Sequence, residues 1–495
     1  MNLESFLGNC IDVGISFSLE DDELYADSDS DIPADLLSQI RTRKADIIAW
    51  IRRASVHEDL KQRRTIESLP RDGNALPLSF AQQRLWFLDQ LEGGNAHYNI
   101  YAAYEVHGCF DTGVAEQVFS RIVARHEPLR TVFAQQDTSP VQVICENVAF
   151  RLQVHDLQAL PGETKESAAR QLIMTDATTG FNLSTDLMLR ASYLQLEAER
   201  GILLFNVHHI AADGWSMGIL MHEFVQLYET ESKGLGDLMP PLVIRYADYA
   251  QWQRKWLAGE MLEQQLDYWR GKLADLPAVH SIPLDGQRRA KPAFAGASHQ
   301  VAIGDAVYQG LVSLARERRT TMFVVLHSAL SILLARHGGN GDVVIGTPVA
   351  NRVQQELHDV VGFFVNTLVL RTDASGNERF LDYLEAVKAI NAEAQTNQDV
   401  PFDYLVERLN PTRNANYSPL FQILFTMDGA YGTAVPGTGP EDLRFAPLDI
   451  ETTATKFELM FNAVESQAGM ALSITYRTDL FEAASIARMG DHLVT

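Results

Sequence analysis

Residues 202–216, which read ILLFNVHHIAADGWS, decide the predicted fold. The run 202–207 is almost continuously apolar, as expected of a β-strand that is buried on both faces. From residue 217 to residue 228 apolar residues recur at helical spacing, and Asp213 is of a type that caps the start of a helix. A buried strand that leads through a polar loop into a helix is typical of an α/β fold, and it places two adjacent histidines on the loop.

The same alternation of strands and helices occurs twice along the chain. The predicted segments are 101–106, 112–125 and 131–134 in the first half, and 299–303, 305–316, 322–337 and 342–345 in the second. Helices that alternate with strands predict layered α/β lobes. Two such lobes usually leave a cleft or tunnel between them, which is the default place for chemistry.

Length and composition restrict the class of protein. A chain of 495 residues allows about three domains, and a formal net charge of −23 argues against a protein that follows nucleic-acid phosphates. The three cysteines match no disulfide or metal-ligand spacing, which predicts a cytoplasmic protein without a metal site. The N-terminus does not resemble a signal peptide, and the apolar segment 322–335 is shorter than the ~20 residues that span a bilayer. We therefore predict no membrane association and a buried helix at 322–335.

The first 55 residues read as a small unit of their own. Apolar spacing predicts the order α-β-β-α-α, with helices at 3–11, 36–40 and 47–51 and a hairpin within 15–25. This unit carries eleven acidic and five basic residues, which suits either a partner surface or an ordinary solvated face. A unit of this size is near the lower limit for folding alone, so dimerisation or partner binding would stabilise it. Residues 56–75 are rich in charge and poor in apolar side chains, which predicts a linker.

The histidine pair, His208 and His209, allows three interpretations. Both can be hydrogen-bonded core side chains, with Asp213 as a helix cap. A metal site lacks a third ligand at a suitable spacing. In the acid–base interpretation only one histidine faces a cavity, because neighbours on an extended strand point to opposite sides; His209 then handles a proton while Asp213 holds the loop.

Residues 214–218, GWSMG, also satisfy the G-x-S-x-G pattern of serine hydrolases, with Ser216 as the nucleophile. In that class the serine directly follows the end of a strand. Here the apolar strand ends at Val207, which argues against this alternative.

The segment 208–214, HHIAADG, resembles the signature of the condensation domains of nonribosomal peptide synthetases, which belong to the chloramphenicol-acetyltransferase-like acyltransferases. Other segments are similar to the remaining core motifs of that family, in the family's order: 79–86 SFAQQRLW, 125–131 RHEPLRT, 246–252 YADYAQW, 345–352 IGTPVANR, 361–367 VGFFVNT, 397–402 NQDVPF and 418–422 SPLFQ. The segment 397–402 begins with asparagine where the family commonly has histidine, which affects no catalytic assignment. Together the matches extend over residues 76–495.

The element order of residues 1–55 and the run 36–48 are similar to the small N-terminal docking domains of bacterial peptide synthetases. Such domains are usually dimeric and capture the C-terminal tail of the preceding protein. The alternative is a decoration of the main body. The resemblance thus implies a docking domain at 1–55, a linker at 56–75, and two chloramphenicol-acetyltransferase-like lobes, 76–260 and 261–495, in a V shape with a central tunnel.

The family implies amide formation. The amine of an aminoacyl group on a downstream carrier protein attacks the thioester of an acyl or peptidyl group on an upstream carrier protein. Both substrates arrive on phosphopantetheine arms, and the domain itself binds no cofactor. The expected partners are these two carrier proteins and an adjoining adenylation domain, with a possible homodimer through the docking domain and without nucleic acid.

By resemblance, His209 is the expected catalytic residue, either as base or as a hydrogen-bond partner of the amine and the tetrahedral intermediate. His208 is expected to be structural, and Asp213 is expected to point away from the tunnel and pair with an arginine, for which Arg352 is the candidate. The other expected site residues are Gly214, which keeps the tunnel open, Trp215 and Ser216, which complete the loop, and Asn366, which supports the site.

Several subtypes remain open within the family. The histidine pair excludes heterocyclization domains, which carry an aspartate pair instead. The segments 84–88, RLWFL, and 98–100, YNI, resemble the subtype that joins two L-residues. A starter condensation domain with a fatty acyl donor and an epimerization domain are the alternatives inside the family. A further alternative is an inactive scaffold that docks carrier proteins without catalysing a reaction. The intact histidine loop argues against this alternative.

Overall fold

A computed structural model gives the fold of the chain. It describes residues 15–20, 23–28, 36, 40, 44, 65–71, 75–94, 96–137, 139–236, 238–289, 295–376, 379–409, 416–428, 443–448, 455–466 and 469–495. The chain divides into two compact units, Met1–Glu67 and Ser68–Thr495. The boundary between them falls within the predicted linker.

In the smaller unit, strands β1 (Ile15–Glu20) and β2 (Glu23–Ser28) form an antiparallel hairpin in which Glu20 faces Glu23 across the turn. This confirms the predicted hairpin. The backbone is helical at Leu36, Ile40 and Lys44, and Ile40 is buried. The predicted helices at 3–11 and 47–51 lie outside the described residues.

The larger unit is a mixed α/β body. Its elements in chain order are β3 (Leu76–Pro77), α1 (Phe80–Glu92), β4 (Asn99–His107), α2 (Thr112–Arg125), β5 (Thr131–Gln136), β6 (Ser139–Ile144), β7 (Gln153–Asp156), α3 (Gly162–Thr178), β8 (Leu189–Glu197), β9 (Arg200–His208), α4 (Gly214–Ser232), α5 (Tyr246–Trp256), α6 (Gly259–Lys272), β10 (Gly296–Ala302), α7 (Asp305–Glu317), α8 (Met322–Gly338), β11 (Asp342–Val349), β12 (Asn366–Asp373), α9 (Phe380–Thr396), α10 (Phe402–Leu409), β13 (Ile423–Asp428), β14 (Arg444–Pro447), β15 (Leu459–Ser466), β16 (Gly469–Arg477) and α11 (Ala483–Val494). The predicted strand and helix segments of both halves are all present among them.

The first large sheet has the order β14-β4-β9-β8-β7 and contains the strand that the sequence predicts as doubly buried. Every residue of β9 after Arg200 is buried. Phe205 packs with Phe119 of α2 and Phe224 of α4 on one face, at ring distances of 5.0 and 5.6 Å. Leu204 packs in the cluster that α3 covers on the other face. The apolar run therefore packs against helices on both faces of the sheet.

The second large sheet has the order β10-β16-β15-β13-β11-β12. Its core includes α8 and α11, and α8 also packs against α7 and α9. The predicted buried helix at 322–335 is confirmed as α8. Within the described part of the chain, none of the helices has the length and apolar composition to cross a bilayer on its own, although the bent pair α7 and α8 meets those two requirements together.

Strand β14 joins the two halves of the body. It belongs to the second half of the sequence, 261–495, yet it extends the first sheet by pairing antiparallel with β4. Phe445 of β14 is buried, and its ring packs edge-on against Phe224 at 6.0 Å. The first lobe is thus completed by a strand from the second.

The end of the predicted linker is fixed to the body. The backbone N–H of Leu69 donates to Asp248 Oδ1 at 3.0 Å. The Arg71 guanidinium pairs with Asp248 at 2.9 Å and with both carboxylate oxygens of Glu127. Residues 69–71 are therefore part of the larger unit rather than a free connection.

Candidate active site

The two adjacent histidines lie where β9 ends in the centre of the first sheet. The backbone N–H of His208 donates to Met188 O at 3.1 Å, and that of His209 donates to Tyr98 O at 2.8 Å. The side chain of His208 is buried, whereas that of His209 is half-buried. Because side chains alternate between the two faces of a strand, His208 points into the core and His209 lies on the side of the site.

His208 is held as a neutral core side chain. Its Nδ1 accepts the backbone N–H of Ile210 at 3.1 Å, so its own proton is on Nε2. The ring lies 5.9 Å from Phe181 and 6.3 Å from Tyr98. Burial, reinforced by nearby positive groups, lowers the pKa of His208 to about 3. This environment is that of a structural residue.

His209 has a defined tautomer. Its Nδ1 lies 3.2 Å from Ala212 O, and because a carbonyl oxygen only accepts, Nδ1 carries the proton. The lone pair is therefore on Nε2. Burial lowers the pKa of His209 to about 4, with Lys456 acting in the same direction and Asp213 in the opposite one. At neutral pH the side chain is an uncharged imidazole with one acceptor nitrogen.

Asp213 lies at the N-terminus of α4 and is fully buried. Its Oδ1 accepts the backbone N–H of Ser216 at 2.8 Å, and its Oδ2 accepts that of Phe364 at 3.1 Å. The guanidinium of Arg352 lies 3.1 Å from Oδ1. The carboxylate thus caps the helix and fastens it to the segment before β12.

Arg352 is the buried partner of this carboxylate. Its Nη1 donates to the carbonyl oxygens of Leu357 and Val360 at 2.5 and 2.6 Å. Its guanidinium carbon lies 4.1 Å from the centre of the Phe364 ring. Arg352 therefore fixes the loop 352–364 beside the histidine loop.

Ser216 takes part in the same network. It is fully buried, and its Oγ lies 2.8 Å from Asp213 Oδ1, 2.9 Å from Gly362 O and 2.9 Å from Arg352 Nη2. An oxygen enclosed in this way within the first turn of α4 does not fit an exposed nucleophile at the end of a strand. The geometry argues against the serine hydrolase alternative.

Two neighbouring predicted residues have different surroundings. The indole N–H of Trp215 donates to His358 O at 3.0 Å, which is a further link to the loop 352–364. Gly214 is exposed, and a Cβ atom built on it would meet nothing within 4 Å. Gly214 therefore borders open space at the start of α4.

Asn366 connects β12 to the start of α10. Its Nδ2 donates to the carbonyl oxygens of Gln398 and Val400, both at 2.7 Å. Its Oδ1 accepts the backbone N–H of Phe402 at 2.9 Å. Asn366 thus holds the segment 398–402 in place, and its hydrogen bonds are to this segment rather than to the histidine loop.

Sequence reasoning missed the contacts that join distant motifs at the site. Gln82 Nε2 of α1 donates to Ile210 O at 3.3 Å. Tyr246 Oη of α5 donates to Phe363 O at 2.7 Å, and the Phe363 ring lies 5.1 Å from His209. These residues belong to quoted motifs, but no spacing within the sequence indicates that the motifs meet.

Within the described residues, no group of three or more histidine, cysteine, aspartate and glutamate side chains could hold a metal ion.

The two large sheets, with a histidine at the end of a central strand and a buried Asp213–Arg352 pair behind it, define a chloramphenicol-acetyltransferase-like α/β protein. Residues 73–495 match the family model of the condensation domain. The chain therefore belongs to the condensation-domain family of nonribosomal peptide synthetases, which confirms the resemblance and the predicted fold class.

The chain spans less than a tenth of the length of the first curated relatives that it matches. A linear gramicidin synthase protein from Brevibacillus parabrevis is 41% identical over 424 residues, which are 86% of this chain but only 5% of that synthase protein. The X-domain solved in complex with OxyB from teicoplanin biosynthesis has a TM-score of 0.77 and 25% identity, and the match covers 87% of this chain and 94% of the X-domain chain.

A second similar structure matches the whole length of this chain. The EpoB cyclization-docking bidomain from Sorangium cellulosum has a TM-score of 0.73 at 18% identity, and the match covers 100% of this chain and 97% of the bidomain. This likeness concerns the fold.

Proposed function

We propose that this chain forms an amide bond between two substrates that are each carried on a phosphopantetheine arm. The donor is an acyl or peptidyl thioester on an upstream carrier protein, and the acceptor is the amine of an aminoacyl thioester on a downstream one. The observation that carries the proposal is His209, whose proton is on Nδ1 and whose acceptor nitrogen, Nε2, belongs to a ring that is only half-buried.

For this reaction the protein has to position the two substrates and transfer one proton from the amine to the leaving thiolate. A thioester is already activated, and holding two reactants in line is worth ~7–11 kcal/mol in well-oriented cases. His209 Nε2 accepts a hydrogen bond from the attacking amine, takes its proton as the C–N bond forms, and returns a proton to the thiolate that leaves as the C–S bond breaks. The backbone N–H groups near Gly214, in the first turn of α4, are the candidates for binding the oxyanion.

The remaining site residues act through position. Asp213 and Arg352 hold the loop that carries His209, and Ser216 and Trp215 join it to the loop 352–364. This arrangement supports a catalytic rather than a merely structural His209, because rigid support within ~0.5 Å is what a preorganised site requires.

The proposal is tested with an acylated donor carrier and an aminoacylated acceptor carrier, with the product read by intact-protein mass spectrometry. We expect transfer by the wild-type protein and a loss of about 10²–10⁴-fold in His209→Ala. His222→Ala is the matched control, since His222 is an exposed histidine on α4. Equal transfer by wild type and His209→Ala would contradict the assignment.

The same assay distinguishes the subtypes. We propose a donor that ends in an L-residue, because of the segments 84–88 and 98–100. Donors ending in an L-residue, a D-residue or a fatty acyl group are compared on the same carrier. A preference for the fatty acyl donor would identify the starter subtype. Inversion of the donor residue leaves the mass unchanged, so it is read by chiral chromatography of the residue released from the donor carrier, and inversion without transfer would identify an epimerization domain.

A scaffold that binds another protein without catalysis is the second candidate function. It is favoured by one observation, the likeness to an X-domain that was solved in complex with OxyB. Binding of both carriers without transfer under all donor conditions would support the scaffold. The hydrogen-bonded, uncharged His209 supports catalysis instead.

We further propose that residues 1–55 dock the C-terminal tail of the preceding synthetase protein, as a homodimer. The β1–β2 hairpin offers strand edges to an incoming chain, the eleven acidic residues favour a basic tail, and the similar bidomain is described as containing a docking part. We expect a basic tail peptide to bind more weakly as salt rises, measured by calorimetry between 50 and 500 mM NaCl. Salt-independent binding would contradict the electrostatic part, and a monomer in sedimentation would contradict the dimer.

A further inference from the structure

Lys456 lies beside the histidine loop although it belongs to the opposite half of the body. It precedes β15, and its Nζ lies 4.3 Å from the centre of the Tyr98 ring. Tyr98 in turn accepts the backbone N–H of His209 through its carbonyl oxygen, and its ring lies 6.3 Å from His208. A cation from the second half of the body is thus held over the residue that supports both histidines.

The backbone of Lys456 is fixed on both sides. Thr455 is buried, and its Oγ1 donates to Phe457 O at 3.1 Å. The ring of Phe457 stacks on Phe421 at 5.4 Å. An exposed lysine between two anchored neighbours has a restricted direction, which separates Lys456 from an ordinary surface lysine.

Glu458 completes this anchor with a buried ion-pair cluster. Its carboxylate accepts two hydrogen bonds from Arg288, both at 2.8 Å, and one from His280 Nε2 at 2.9 Å. His280 Nδ1 accepts the N–H of Ile282, so the proton on Nε2 points at the carboxylate. The cluster lies directly before β15. It holds Glu458 in place and thereby fixes the backbone two residues after Lys456.

Charged and titratable groups act on His209 from several of the described elements around it. Asp213 and Arg84 do so from α4 and α1, His208 from β9, and Lys456 from the segment before β15. Asp213 is paired with Arg352, and Arg84 is 2.8 Å from Asp403. After burial, Lys456 contributes most to the lowered pKa of His209.

We propose that Lys456 is a positioning residue for His209: its ammonium, held over the ring of Tyr98, whose carbonyl oxygen accepts the His209 backbone N–H, disfavours a second positive charge on the imidazole and so extends to lower pH the range in which Nε2 can accept a proton. This inference rests on the proposed role of His209 as acceptor of the amine proton. It assigns the anchored segment 455–458 an electrostatic task at a site that is built mainly by the first half of the chain.

The test follows the protonation of His209 directly. The full chain is labelled with ¹³C at histidine Cε1, the His209 signal is assigned by its loss in His209→Gln, and it is titrated from pH 8 to pH 3, so that the range includes the pKa of about 4. In Lys456→Met we expect the titration to lie about one pH unit higher, as is typical when a nearby like charge is removed. Lys456→Arg keeps the charge and should follow the wild type.

Lys272→Met is the matched control. Lys272 also lies over a tyrosine ring, 5.8 Å from the centre of Tyr268, and it pairs with Glu393 on α9. An unchanged His209 titration in Lys456→Met, or an equal shift in Lys272→Met, would overturn the inference.

The pH profile of carrier-to-carrier condensation gives an independent readout. In Lys456→Met the rate should fall at a pH about one unit higher on the acid side, with little change above pH 8, because only protonated His209 is inactive. A uniform loss at all pH values would indicate a structural effect and overturn the inference. If the wild type transfers nothing, the proposed function fails, while the titration still decides the role of Lys456.

Discussion

Asp213 and Arg352 show how a single residue pair can support a site without touching its substrate. Both side chains are buried, and the carboxylate accepts hydrogen bonds from two separate segments, through Ser216 and Phe364. A buried charge that loses its partner keeps its desolvation cost without compensation. The pair therefore links the stability of the body to the geometry of the histidine loop.

We expect Asp213→Ala to lower the free energy of unfolding by about 3–5 kcal/mol, because it leaves the Arg352 guanidinium buried without a carboxylate. Urea unfolding followed by tryptophan fluorescence measures this change. Asp213→Asn is the control, since its carbonyl oxygen can still accept the Ser216 N–H and should preserve part of the stability. A soluble Asp213→Ala protein with wild-type stability and full activity would contradict the assignment.

The residues of the histidine loop could be predicted because they are neighbours in sequence. The spacing of His209, Asp213 and Gly214 places them on one loop, and the motif names their roles by resemblance. Lys456, Tyr246 and Phe363 could not be found in the same way, since each reaches the loop through a contact between distant segments. The sequence did not reveal these three residues because they are far from the histidine loop along the chain, not because of their residue types.

At the scale of elements, the loop before β12 is shaped by close approach to α5. A Cβ atom built on Gly362 would lie 1.9 Å from Tyr246 Cδ2. Ser79 Oγ lies 2.8 Å from Tyr246 Oη, which donates onward to Phe363 O. Three elements, α1, α5 and this loop, thus meet at one tyrosine, and only glycine fits beside it.

We expect Gly362→Ala to displace Phe363 from His209 and to destabilise the protein by about 1–3 kcal/mol, the usual cost of overpacking. Thermal unfolding and the condensation rate measure the two effects. Gly214→Ala is the matched control, because a Cβ there meets nothing within 4 Å and should leave stability nearly unchanged. Equal stability of the two variants would contradict the steric interpretation.

Long elements with strong patterns were predictable, and short ones were not. The strand at 202–207 and the helix at 322–335 have uniform apolar character because each is covered on more than one side. β14 has only four residues, of which Phe445 alone is buried, so no alternating pattern marks it. Its place is set by pairing with β4, more than 330 residues earlier in the chain.

For the whole molecule, the sequence predicts the α/β class, and the structure agrees, with two large sheets of six and five strands. The division into two lobes at residue 260 stays a prediction, and one strand from beyond residue 260, β14, pairs with the sheet that is built from the first half. The V shape and the tunnel remain predictions. The two halves are joined at several places described above, among them β14, the Asp213–Arg352 pair and Lys456 over Tyr98.

The crossing strand has a consequence for recombination between synthetases. In a chimera that takes 76–260 from one parent and 261–495 from another, the paired strands β4 and β14 come from different parents. The register, in which Phe445 faces Val106, then has to be met by residues from two parents. An exchange that transfers 444–447 together with 76–260 keeps β14 and β4 from the same parent and so preserves their pairing. The exchanged unit in this fold therefore consists of two separate stretches of sequence.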